Sequence, residues 1–203
     1  MISLPLVYTI LALVSYTSSF WYLFIHLMSK RTPNLWCYGL IVVLGLILHG
    51  LVLSQDMITP LGVNYDVFNL ISFTSGLMLS LSLILSLIRP ILPLNLIGIP
   101  VAAIGLILGF SLSQSNQTIE HHGVGLDTHI ILSLSAYAVL LMATIQAVLL
   151  WFQDRELKKK QKKRIWVNLL PPFQVMESLL FDLIITGFGL LTAALIFGFF
   201  TID

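Results

Sequence analysis

The chain has 203 residues, of which 58% are apolar and only 9% charged, and its formal net charge is +1. A soluble globular domain carries about a quarter charged residues, so a water-solvated core protein is excluded, and a near-neutral balance gives no footing for a nucleic-acid partner. No P-loop, dinucleotide-binding or Ser-His-Asp signature occurs, which leaves nucleotide chemistry and hydrolysis without support.

A helix needs roughly 20 apolar residues to cross a bilayer. Six stretches qualify: Leu4–Met28, Leu35–Leu53, Val67–Leu87, Leu94–Leu112, Thr128–Phe152 and Leu179–Thr201. Their continuous hydrophobicity argues against a barrel, whose strands would alternate. The expected fold is all-α, a polytopic bundle of six spans forming a single transmembrane domain over residues 1–203.

Span one has no basic leader and no small-residue cleavage site, so it reads as a membrane helix rather than a signal peptide. Lys30 and Arg31 follow it, Arg89 follows span three, and Arg155, Lys158, Lys159, Lys160, Lys162, Lys163 and Arg164 follow span five. All ten basic residues therefore fall in odd-numbered loops. The positive-inside rule makes that side cytoplasmic and sends both termini outward. Trp21, Trp36 and Trp151 lie near the expected inner ends of their spans, as an interfacial belt would have them. Span two contains the chain's single cysteine, Cys37, so neither an internal disulfide nor a CxxC motif is available.

Span two also carries His49, about one to two turns from its outer end if that end is near Asp56. His49 shares a helical face with Gly45, Val52 and Asp56. The outer loop around Gln55–Asp66 leads to span three, where Ser72, Ser75, Ser82 and Ser86 lie on one face with Gly76 beside them. That face reads as interhelical hydrogen bonding, with a polar lining for a translocated solute as the alternative. Span four contains "GLILG" (Gly105 to Gly109), a small-xxx-small packing motif, and Pro100, a candidate kink. The next outer loop, Ser113–Leu126, contains His121 and His122 and a glycosylation sequon by spelling at Asn116.

Span five opens at His129, with Asp127 as its expected N-cap. His129, Ser133, Ala136, Leu140, Ala143 and Ala147 form a mostly small-residue stripe, which marks a helix–helix contact in membranes. A basic cytosolic loop (residues 154–172) follows, a solvated segment attracted to anionic lipid or a docking site for a cytosolic partner at Lys158–Arg164. Pro171 and Pro172 cannot continue a helix, so the chain is expected to turn there and re-enter near Glu177. Asp182 lies near the inner end of span six. With Glu177 it forms either a proton site or a pair of helix-start carboxylates.

Ionisable groups inside spans are costly and mark candidate functional positions. His49 and His129 come from different helices at matched expected depth in the outer leaflet, whereas His26 lies at the inner end of span one. Two neutral imidazoles at one depth suit axial ligation of a haem iron. A soft metal such as zinc or copper wants more donors, which His121 and His122 would supply. A pair of hydrogen-bonded packing residues also fits the pattern.

"THIILSLSAYAVLLMATIQAVLLWFQDRELKKK", followed by "PPFQVMESLLFDLIITGFGLLTAALIFG", resembles the cytochrome c assembly protein family. That family includes the haem-handling subunit of the cytochrome c synthase (CcsA-type) and smaller HemX-like and YpjD-like inner-membrane proteins. The order matches: a histidine opening a helix, an "AYA" after it, a basic cytosolic loop, then a "ME-x-LLF" entry to a helix that reaches "GLLT". "LHGL" in span two and "NYDVFNLISF" match the YpjD-like branch. The resemblance covers nearly the whole chain and implies haem b, bound near the outer face of a bacterial inner membrane and handled or delivered for cytochrome c maturation. His129 matches the family's helix-opening histidine and His49 the span-two histidine. The resemblance thus makes both of them axial ligands of the haem iron and other maturation proteins the expected partners. It implies transfer of haem rather than bond chemistry by this chain alone. The synthase-type members continue past this point with a tryptophan-rich segment and two further helices, which this sequence, ending at "FFTID", is expected to lack. The alternative it offers is a HemX-like scaffold or regulator acting through the basic loop without bound haem.

Overall fold

The computed structural model describes residues 3–29, 31–59, 62–89, 91–113, 124–158 and 170–201. Six helices account for nearly all of them: α1 (Leu4–Met28), α2 (Leu35–Met57), α3 (Val67–Ile88), α4 (Asn95–Leu112), α5 (Val124–Leu157) and α6 (Phe173–Thr201). All six are long and apolar enough to cross a membrane, and the expected six-span all-α fold is what is found. Between α2 and α3 a small antiparallel hairpin pairs β1 (Ile58–Thr59) with β2 (Gly62–Val63). Gly62 takes φ 136°, a left-handed conformation open to glycine and strained for other residues. A short 3₁₀ turn (Leu92–Leu94) precedes α4.

The chain divides into two compact units, Met1–Ile84 with Asn95–His122, and Leu85–Leu94 with Gly123–Asp203. In the first unit α1 packs along α2, and α4 packs against both. Small residues allow the approach. Gly45 of α2 faces the ring of Tyr16, and a Cβ built at Gly45 would lie 2.7 Å from Tyr16 Cε1. Gly105 and Gly109, the ends of the GLILG motif, seat Ser75 and Ser72 of α3; a Cβ at Gly109 would come within 2.7 Å of Ser72 Cβ. The motif therefore packs as its spacing predicts.

Several polar groups in this unit are turned inward and bonded, while Tyr38 Oη, Asn69 Oδ1 and Asn95 Nδ2 are buried without a hydrogen-bond partner among the described residues. Ser15 Oγ donates to the Ile41 carbonyl at 2.6 Å, and Ser82 Oγ donates to Asn95 Oδ1 at 2.6 Å. The helix starts are capped: Asn34 Oδ1 accepts from the backbone N–H groups of Trp36 and Cys37, and Asp66 Oδ2 accepts from that of Phe68. The outward faces carry exposed Leu40, Ile47 and Ile104, the arrangement of helices whose outer solvent is lipid.

In the second unit α5 and α6 pack along one another. His129 meets Ala194 and Gly198, Leu140 meets Gly187, Gln146 meets Met176 and Gln153 meets Pro171. Positions rising along α5 meet positions falling along α6, so the pair is antiparallel. Ala136 and Ala143 are buried, as the small-residue stripe predicts. Gln146 and Gln153, one heptad apart, donate their amide N–H groups to the carbonyls of Met176 in the first turn of α6 and of Pro171 just before it, both at 2.9 Å.

The ends of these helices differ from the sequence expectation. Helix α5 begins at Val124, so Asp127 lies in its first turn rather than at the N-cap, and His129 falls in the second turn. Helix α6 begins at Phe173, immediately after Pro172, whose carbonyl accepts from Val175 and Met176. A proline is well tolerated at a helix start, where its missing N–H leaves nothing unpaired. Hydrophobicity marks the hydrocarbon thickness, while a helix continues through the polar interface for as long as its own hydrogen bonds last. Arg89, on the 85–94 segment of this unit, donates to Ser178 Oγ at 2.9 Å and forms a short ion pair with Asp182. Asp182 therefore holds a salt bridge, and Glu177, one turn earlier, is exposed.

Candidate functional site

Each of the two singled-out histidines has a defined hydrogen-bonding environment, and they belong to different units. His49 projects from α2 into the interior of the first unit and is 2% exposed. Its Nδ1 lies 3.0 Å from the Tyr16 hydroxyl of α1 and its Nε2 lies 2.9 Å from the Ser72 hydroxyl of α3. Both ring nitrogens are thus bonded. The ring edge approaches Tyr16 in a T-shaped contact with centroids 6.1 Å apart. On its other side it lies over Gly76, where a Cβ would meet His49 Cε1 at 3.3 Å. Beside it a cleft of about 210 Å³ opens between α2 and α3, bordered by Leu46, Gly50, Phe73 and Leu77 as well as by His49 and Ser72.

His129 is half-buried on α5. Its Nδ1 lies 2.8 Å from the Ala194 carbonyl of α6. A carbonyl only accepts, so Nδ1 carries the proton as donor, and in the neutral ring Nε2 holds the lone pair. The ring rests on Gly198, where a Cβ would fall 2.6 Å from Nδ1. Glycine at that position is a steric requirement of the contact.

The remaining candidates are more ordinary or lie elsewhere. His26 Nδ1 donates to the Tyr22 carbonyl one turn back, and its ring lies against Tyr22. His121, His122, Asn116 and the basic residues 159–164 lie outside the described residues. Of that basic loop's flank, Lys158 pairs with Asp154 at 2.6 Å and Arg155 lies over Trp151. The serines of α3 serve packing: Ser72 bonds His49, Ser75 donates to the Ser72 carbonyl, and Ser82 bonds Asn95. Among the described residues no group of three or more His, Cys, Asp or Glu is placed to hold a metal ion.

A family model described as cytochrome C assembly protein matches residues 4–200. The chain belongs to the cytochrome c assembly protein family. The match runs through both units and includes His49 and His129, and it gives the protein a role in cytochrome c biogenesis, a haem-related process. Comparison with curated proteins and with solved structures gave no match.

Sequence reasoning found the histidines as ionisable groups within spans but did not find Tyr16 as a partner of His49. It placed Ser72 on the polar face of α3 without showing which helix that face meets. Gln146 and Gln153 passed unremarked, although an amide inside an apolar span is itself a signal of an interhelical bond.

Proposed function

We propose that this protein handles haem b at the outer face of a bacterial inner membrane, for delivery to cytochrome c maturation, with His129 and His49 as iron ligands. The observation that carries the reading is the hydrogen bond from His129 Nδ1 to the Ala194 carbonyl. Metal-binding imidazoles commonly donate their second N–H to a backbone carbonyl, which fixes the ring and its tautomer and leaves the other nitrogen to the metal. That donor set fits a haem iron. At His49 the fit requires an exchange, because Nε2 is already bonded to Ser72. When bound, haem supplies a redox-active iron whose potential follows its axial ligands. The protein's own contribution is to orient each imidazole within its unit, His129 against Ala194 and Gly198 and His49 beside a cleft bordered by glycines and apolar side chains. The basic loops would face the cytoplasm, both termini the outside.

The reading is tested by purifying the protein in detergent, adding haemin and recording the absorption spectrum. The expected result is a Soret band that weakens or shifts in His129→Ala and in His49→Ala, each taken separately. Absence of a Soret band after loading, or a band untouched by both substitutions, overturns it.

A second reading is favoured by one observation, the full hydrogen bonding of His49, which suits a packing residue. In it the protein is a membrane scaffold that binds a cytosolic partner, or another maturation protein, through Lys158–Arg164 and holds no haem. Neutralising those lysines and arginines would then abolish partner capture while the histidine substitutions leave it intact, and the opposite pattern rejects it.

A further inference from the structure

Three helices of the first unit bring polar side chains to one place. Tyr38 lies near the start of α2, Ser82 near the end of α3, and Asn95 opens α4. All three positions fall within about two turns of the same end of these helices. Their side chains are nonetheless closed off, with Tyr38 1%, Ser82 3% and Asn95 0% exposed.

Ser82 Oγ donates to Asn95 Oδ1 at 2.6 Å, which occupies one end of the Asn95 amide. The other end, Nδ2, has no hydrogen-bond partner among the described residues, and neither has Tyr38 Oη. The Asn95 side chain is the polar neighbour of the Tyr38 hydroxyl, yet the geometry of a direct bond between them is not met. Unbonded polar groups in an apolar interior are costly, and nearly all buried ones in folded proteins are bonded to protein or to water.

The chemistry of these atoms decides what their partner is. An amide N–H only donates, so Nδ2 offers nothing to a cation. An anion would need a positive charge beside it, and Tyr38, Ser82 and Asn95 are all neutral. A water oxygen can accept from Nδ2, and the same molecule can either donate to Tyr38 Oη or accept from it. Ser82 Oγ has spent its proton on Asn95 and can still accept, which makes three partners, the usual number for a buried water. Gly98, one turn along α4 from Asn95, keeps the space beside Ser82 loosely filled. A Cβ built there would lie 3.4 Å from Leu79 Cδ1 and 4.0 Å from Ser82 Oγ, no closer than ordinary contact.

We propose that a single water molecule is bound inside the first unit by Asn95 Nδ2, Tyr38 Oη and Ser82 Oγ, joining α2, α3 and α4 at this end of the bundle. The competing arrangement is a direct Tyr38–Asn95 hydrogen bond, made by a small shift of either side chain, with no water between them.

Radiolytic labelling of the full chain in detergent separates the two. X-rays split water into hydroxyl radicals, which attack the side chain beside which they form, and mass spectrometry locates the added oxygen. Tyr16 is the internal control: it is as buried as Tyr38, but its hydroxyl is already bonded to His49 at 3.0 Å. Tyr38 should be labelled several-fold faster than Tyr16 in the unaltered protein, and equal rates overturn the proposal. Asn95→Leu removes the amide donor and should bring the rate at Tyr38 down to that of Tyr16. A rate left unchanged in that variant shows that bulk water reaches the ring, which also overturns the proposal. Should Asn95→Leu not fold, the unaltered protein is mixed rapidly with water enriched in oxygen-18 before irradiation. The heavy isotope should then appear at Tyr38 later than at the exposed Trp36, and simultaneous arrival at both overturns the bound molecule.

Discussion

At the scale of single residues, the two histidines show how much of a membrane site a sequence can carry. Both could be picked out because an imidazole within a span is expensive unless it is bonded. Their partners could not. Tyr16 and Ser72 come from other helices, and the rotation of one span against another is not written in its hydropathy. In water the apolar stripe of a helix points to the core, but in lipid both faces are apolar and that signal fades. What remains are local clues such as Gly45 and Gly198, each of which is small because a ring lies against it. Gly198 yields a direct prediction. Gly198→Ala places a Cβ into the His129 ring, so the ring must leave its bond to Ala194. Overpacking of this kind costs about 1–3 kcal/mol. Haemin binding should fall to the level of His129→Ala while helicity by circular dichroism is retained, and normal binding would show that the ring does not need this seat.

At the scale of helices, the packing rests on close approaches that differ sharply from one glycine to the next. Gly109 leaves room for Ser72, whereas Gly39 on α2 has nothing within 4 Å of its missing side chain. Gly109→Leu should therefore destabilise the first unit by about 1–3 kcal/mol or more, and Gly39→Ala should leave the unfolding transition in detergent essentially unmoved. Equal effects would mean that the α3–α4 contact is not what holds the unit. Antiparallel α5 and α6 give a second contrast. Gln146 is buried, and its Oε1 has no hydrogen-bond partner among the described residues. Gln146→Leu removes that orphan acceptor together with one hydrogen bond and should be nearly neutral. Gln146→Glu puts a charge into the same place and should cost several kcal/mol, read as a large drop in thermal midpoint. The existence of these helices was legible from bilayer-length apolar runs. Their ends were not, because α5 runs on to Leu157 and α6 starts at Phe173 through residues that are polar yet helical.

At the scale of the whole molecule, charge distribution gives what the packing of helices does not. Confinement of every Lys and Arg to the odd-numbered loops and, for Arg155, to the helix turn leading into one predicts termini on the outside of a bacterial inner membrane. A C-terminal alkaline phosphatase fusion made in a bacterium should then be active, and a green fluorescent protein fusion at the same place dark; the reverse pair of results rejects this orientation. The salt bridge between Arg89 and Asp182 lies in the second unit, and both partners are partly exposed. Screening keeps such pairs to about 0.2–1 kcal/mol. Its removal in Arg89→Ala should therefore leave the fold intact, and a collapse of expression would show that the pair does more than tether the 85–94 segment.

The lone thiol has a practical consequence. Cys37 is exposed, three residues beyond the Asn34 cap and next to Trp36, which is 84% exposed. With one cysteine in the chain, a maleimide dye attaches at one address without any engineering. The native protein thus carries its own sidedness gauge: in intact cells a reagent that cannot cross the membrane should leave it unlabelled, and one that can should mark it.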